Sequence, residues 1–171
     1  MAISMYQITV PVFTHFLNNL NGILKKGEAF AIDKDIEPEA MLNSRLAPDM
    51  FPLSKQIQLV CDLSRRCVER LAGLDVMSTE DNEQTFAEFY DRINNTIAFL
   101  ETIKPEQLDG AEEKMVTIKM RDGEHECNGL DMTLYFSLPN VYFHVTTAYD
   151  ILRHNYVELG KKDYIGKLPG T

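Results

Sequence analysis

Tryptophan is absent, glycine occurs only 9 times, and lysine and arginine together number 17 against 26 aspartates and glutamates. The shortage of positive charge excludes most. With a formal net charge of -9 the surface repels phosphate backbones and anionic lipid, so neither nucleic acid nor a membrane is expected as a partner. The densest basic run, LGKKDYIGK at 159–167, is short and mixed. Long apolar runs are missing too: nothing approaches the roughly 20 residues of a membrane-spanning helix. The start, MAISMYQITVPVF, lacks the basic region and small-residue cleavage site of an export signal. Cysteine is sparse and odd in number, with Cys61, Cys67 and Cys127. A chain of 171 residues buries enough surface to fold without bridges, so these read as reduced thiols in a cytoplasmic protein. Glycine-rich phosphate loops, nucleophile elbows and zincin motifs are also lacking.

What is present is helical periodicity, in four segments of what reads as a single domain over 1–171. In SMYQITVPVFTHFLNNLNGILKKG, Ile8, Val12, Phe16, Leu20 and Ile23 form one stripe, widened by Phe13, Leu17 and Leu24. Pro11 is expected to kink this helix or confine its regular part to the residues after it, and Gly27 to stop it after Lys25 and Lys26. A long connection comes next, in which EPEAMLNSRLAP forms a short helix with Pro38 in its first turn. PLSKQIQLVCDLSRRCVERLAG turns Leu53, Ile57, Val60, Ser64, Val68 and Leu71 inward and ends at Gly73. After the capping-rich MSTEDNEQ comes the cleanest stripe, Phe86, Phe89, Tyr90, Ile93, Ile97 and Leu100, stopped by Pro105. The period then switches to alternation in KMVTIKMRDGEHECNG, predicting a hairpin about Asp122-Gly123. The last helix is expected to open near Asn140 and run to about His154. Four amphipathic stripes bury themselves most simply as an all-α four-helix bundle, here with a short β-hairpin inserted before the last helix.

Asn140, His144, Thr147, Ile151 and His154 share one face of the last helix at 3.6-residue spacing, beside the more apolar Tyr142, Val145, Tyr149 and Leu152. A polar stripe beside an apolar one borders an internal pocket or forms a buried polar layer satisfied by its neighbours. Three and four residues beyond His144 stand Thr147 and Ala148, neither a metal ligand, so paired coordination on this helix is not encoded. His15 on the first helix, with Gln56 or Asp62 on the second, could supply further donors. EHEC, at 124–127, reads as a solvated hairpin flank, Cys61 and Cys67 as core, and DKDIEPE as a solvated loop. Lys161 and Lys162 complement the dipole of the last helix or close over a pocket mouth.

LPNVYFHVTTAYDILRHN followed by LGKKDYIG resembles an uncharacterised bacterial domain-of-unknown-function family of the DinB/YfiT-like superfamily. MYQITVPVFTHFLNNLNGIL and PLSKQIQLVCDLSRRCVERLAG fit the same family, so the likeness spans nearly the whole chain. The resemblance implies an up-down-down-up four-helix bundle, a homodimer, and a divalent metal held by one histidine on the second helix and two on the last, four residues apart. Some metal-bearing members are thiol-dependent transferases. Carried over by position, His144 matches the first histidine of the last-helix pair, Ala148 stands at the second, and Gln56 falls near the second-helix ligand. Two of three ligands are replaced, so no cofactor is expected; were zinc or nickel held, His144 with His15 would hold it. The expectation is a cytoplasmic bundle that binds a small molecule or serves a structural role, with a pocket bordered by His15, Gln56, Asn140, His144 and Thr147. The alternative is a metal-dependent transferase acting on a thiol or other small nucleophile, or an interaction module using the hairpin or acidic loop.

Overall fold

A computed structural model describes residues 3–168; residues 1–2 and 169–171, the ends of the expected domain, lie outside the described residues. The first helical segment divides at Thr9, between α1 (Met5–Ile8) and α2 (Val10–Asp33). Pro11 sits in the opening turn of α2, where its missing N–H removes no helical bond, so it starts a helix instead of kinking one. Gly27 does not stop this helix, which runs on to Asp33. A Cβ on Gly27 would lie 3.0 Å from Leu152, so glycine is there to let two helices approach. The buried face of α2 is also rotated from the expected stripe. Phe13, Leu17, Leu20, Ile23 and Leu24 are fully buried, whereas Ile8, Val12 and Phe16 lie at the edge of the core.

The short α3 (Pro38–Leu42) leads to α4 (Leu53–Ala72), which ends on the left-handed Gly73 (φ 70°). α5 (Phe86–Thr102) opens with a capping box between Thr85 and Glu88. A 3-10 turn (Pro105–Leu108) then precedes the antiparallel strands β1 (Met115–Met120) and β2 (Gly123–Asn128). Met120 pairs with Gly123, so the hairpin turns at Arg121-Asp122, one residue before the expected pair, and Gly123 supplies a φ of 141° where β2 begins. Val116 and Ile118 bury one face of β1, while Glu124, His125 and Glu126 are exposed, in keeping with a solvated flank.

The last helix begins earlier than Asn140. A short α6 (Gly129–Asp131) runs through a π-helical turn (Met132–Ser137) into α7 (Leu138–His154). Pro139 cannot donate a backbone bond to the preceding turn, and the widened turn accommodates it without ending the helix. Arg153 and His154 occupy the last turn of α7, whereas Lys161 and Lys162 open α8 (Lys161–Ile165).

Side-chain pairs set the helix directions. Asn21 meets Asn94 and Glu28 meets Tyr90, so α2 and α5 are antiparallel. Asp62 meets Arg92 and Arg65 lies over Phe99, so α4 and α5 run parallel. Gln56 meets His144 and Cys67 meets Thr133, so α4 and α7 are antiparallel. Phe16 packs on Tyr142 and Gly27 faces Leu152, which makes α2 and α7 parallel. The four long helices therefore run up, down, down and up around one apolar core. Among the described residues, no helix is long and apolar enough to cross a membrane.

Candidate functional site

α4 and α7 bring Gln56 and His144 together. His144 Nδ1 lies 2.7 Å from Gln56 Oε1, and Gln56 Nε2 donates to the carbonyl of Phe51 at 3.0 Å. The second bond fixes the first. With the amide nitrogen committed to Phe51, only the amide oxygen faces the ring, so Nδ1 carries the proton and Nε2 keeps its lone pair. Nε2 has no partner among the described residues. Both side chains are buried, and loss of solvation lowers the His144 pKa from 6.5 to about 4, so the ring is neutral at physiological pH. Phe143 packs edge-on against the His144 ring at 5.3 Å. Phe51 and Phe143 are 55% and 56% exposed, leaving aromatic surface on both segments that adjoin the pair.

The other sequence candidates go elsewhere. Asn140 donates to Phe136 O in the π-helical turn at 2.6 Å and Thr147 to Phe143 O within α7 at 2.8 Å, each to the turn that precedes it. His15 Nε2 stands 2.7 Å from the carbonyl of Ile165, and Asn19 donates to Tyr164 O at 2.9 Å. Together with the Lys26–Asp163 ion pair at 2.7 Å, they fasten α8 across α2. His15 thus holds the C-terminal helix and does not join His144.

A second polar centre lies between α4, α5 and the 79–84 segment. Arg92 on α5 is almost wholly buried, and its guanidinium meets Asp62 at 2.8 Å, Asp81 at 3.0 Å and Glu83 at 2.6 Å. Burial alone would depress its pKa; the Glu83 and Asp62 carboxylates outweigh that and raise it. Gln58 supports Glu83, while Lys55 pairs with Asp81 and Arg66 with Asp62. Beside this cluster opens a cleft of about 410 Å3 that Cys61, Arg92 and Thr96 help to line. The sequence carried a sign of it. Arg92 occupies an inward position between Phe89 and Thr96, where an unpaired cation is not tolerated, and STEDNE just upstream supplies the acids. Read as capping residues alone, those acids hide their second role.

The up-down-down-up order, with a histidine on the last helix facing the second, defines a DinB-like four-helix bundle. Residues 5–165 match the family model described as Domain of unknown function (DUF1993), and the chain belongs to that family. It is similar to the crystal structure of a DinB family member protein from Shewanella denitrificans, with 40% identity and a TM-score of 0.91 over 98% of this chain and 94% of that one. No curated protein matches.

The superfamily's three-histidine metal centre can be tested against this geometry. Ala148, at the position of the second last-helix histidine, is an apolar residue with no exposed surface. Gln56 spends both ends of its amide on His144 and Phe51. Among the described residues no three His, Cys, Asp or Glu side chains gather as a metal-binding group. The residues present do not fit that centre.

Proposed function

We propose that this chain is a small-ligand-binding member of its family, in which the superfamily's metal position has become the hydrogen-bonded pair of Gln56 and His144. The observation that supports the reading is the 2.7 Å contact itself, with Gln56 oriented by Phe51. It leaves His144 a neutral imidazole with one fixed acceptor nitrogen. Beside it, Phe51 and Phe143 offer aromatic surface. Small-molecule sites pair apolar surface with one or two placed polar groups. The ligand class this suits is a small aromatic or aliphatic molecule bearing an N–H or O–H donor.

A second reading, a metal-dependent transferase acting on a thiol or other small nucleophile, draws on the same bond. Metal-bound histidines commonly donate their other ring N–H to a carbonyl, and Nε2 of His144 is left free by such a contact. Elemental analysis of protein purified without chelators, beside the His144→Ala variant, separates the two. The first reading expects no metal in either sample, and stabilisation of the wild type by phenol-like ligands that the variant loses. Near-stoichiometric metal that disappears in the variant would overturn the first reading and make His144 a ligand, and a thiol-transfer assay would then test the second.

A further inference from the structure

On the far side of α4 from the Gln56 end, the acidic character of the chain is locally reversed. Arg66 and Arg70, one turn apart on α4, and Lys119 on β1 line a cleft of about 450 Å3 with no carboxylate in its wall. Ser78 and Thr117 add hydroxyls, and Val76 and Met77 add apolar surface that is 45% and 54% exposed. The wall is held in place. Buried Glu69 accepts from the backbone N–H of Met77 at 3.1 Å, and Arg70 Nε donates to the carbonyl of Thr117 at 3.2 Å, which ties the hairpin to the helix.

The charges are unequally satisfied. Arg66 is paired with Asp62 at 2.8 Å and Lys119 with Glu124 at 3.2 Å, the latter pair well exposed to solvent. Arg70 has no carboxylate within 4.0 Å among the described residues; its Nε and Nη1 go to carbonyl oxygens, and Nη2 stays open. Burial and then the charge of Arg66 lower the Arg70 pKa, while Cys67 and Glu69 oppose the shift. A cation near the C-terminus of α4 is explained by the helix dipole. That does not explain a third cation from β1, or exposed Val76 and Met77 beside it.

We propose that this cleft binds an anionic amphiphile, a carboxylate, sulfonate or phosphate joined to a short apolar body, with the anion on the open Nη2 of Arg70 and on Lys119 and the apolar part on Val76 and Met77. A guanidinium nitrogen left without an acceptor is suited to an oxyanion, and the dispersed negative charge elsewhere favours this cleft over other surfaces. The site is separate from the His144 pair and does not depend on how that pair functions.

Calorimetric titration of the full chain with sodium octanoate tests the assignment, with 1-octanol and inorganic phosphate as partial ligands. Both diagnostic variants, Lys119→Glu and Met77→Ser, change exposed side chains, and thermal unfolding confirms that each still folds. Lys25→Glu, on the exposed face of α2, makes the same change in net charge at a distance. The expected result is one saturable octanoate site that weakens about tenfold in Lys119→Glu, about fivefold in Met77→Ser, and hardly in Lys25→Glu. Octanol and phosphate should each bind more weakly than octanoate. The proposal is overturned if octanol or phosphate binds as well as octanoate, if Lys25→Glu weakens binding as much as Lys119→Glu, or if no heat of binding appears up to about 10 mM.

Discussion

Gln56 and His144, 88 residues apart in the chain, share a buried hydrogen bond of 2.7 Å between antiparallel helices. The bond selects a tautomer, and the surrounding protein selects the neutral form. The consequence for pH comes from the direction of the shift. Burial lowers the His144 pKa from 6.5 to about 4, so between those values the unfolded chain binds a proton that the folded chain refuses. Stability from this group is therefore complete above pH 6.5, declines as pH falls toward 4, and levels off below. The full loss is on the order of 3 kcal/mol. Urea unfolding at pH 7 and near pH 4.5 should show most of that loss in the wild type and not in His144→Asn, whose amide can still donate to Gln56. An identical pH dependence in the two proteins would refute the assignment.

Replacing Gln56 by glutamate tests the same pair from the other side. A carboxylate beside His144 favours the imidazolium, so the His144 pKa should rise by at least about one unit, measured by NMR of the ring carbons and nitrogens. If it does not move, the two side chains are not in contact in solution.

Arg92 makes the strongest demand on stability. Removing it leaves Glu83 with Gln58 alone, Asp62 with Arg66 and Asp81 with Lys55, and both Asp62 and Glu83 are largely buried. Arg92→Met should cost about 3–5 kcal/mol by chemical denaturation at pH 7, because it leaves buried carboxylates short of a cation. A change below about 1 kcal/mol would mean that the cluster relaxes into water and contributes little.

The bundle was legible because its helices carry long periodic stripes: in α5, Phe86, Phe89, Ile93 and Leu100 are all buried as their spacing predicts. Local rules went astray where a tertiary contact overrode them. Gly27 looks like a terminator until Leu152 is placed beside it, and the segment before Asn140 looks irregular until a π-helical turn absorbs Pro139. Of the expected site residues, His144 and Gln56 meet, but His15 does not join them, because helical periodicity gives a direction and not a partner. The Arg66, Arg70 and Lys119 cleft was invisible for the same reason: its third cation comes from a strand that only folding brings to α4.

The thiols should divide sharply. Desolvation pushes Cys61 up to about 12 and Cys67 up to about 11, and both are buried, while Cys127 lies part-exposed on β2. A thiolate is the reactive species, so an aromatic disulfide reagent at pH 8 should label Cys127 in the native protein and reach the other two only after denaturation. Rapid native labelling of Cys61 or Cys67 would show that the core opens locally far more often than its packing implies.

Two glycines in helical segments offer an internal comparison of packing against propensity. A Cβ at Gly129 would stand 2.0 Å from the carbonyl oxygen of Ala111 and 2.7 Å from Leu71, and a backbone carbonyl cannot swing aside as a flexible side chain can. Gly129→Ala should therefore destabilise the protein by about 3 kcal/mol or more, because the hairpin connection must shift away from the start of the last helix. Gly22, within α2, meets nothing within 4 Å, so Gly22→Ala gains helix propensity without a clash and should stabilise by about 0.5–1 kcal/mol. Thermal unfolding of the two variants should move the midpoint in opposite directions. If Gly129→Ala leaves the midpoint unchanged, the close approach of Ala111 to the start of α6 does not hold in solution, and neither does the seating of the hairpin that depends on it.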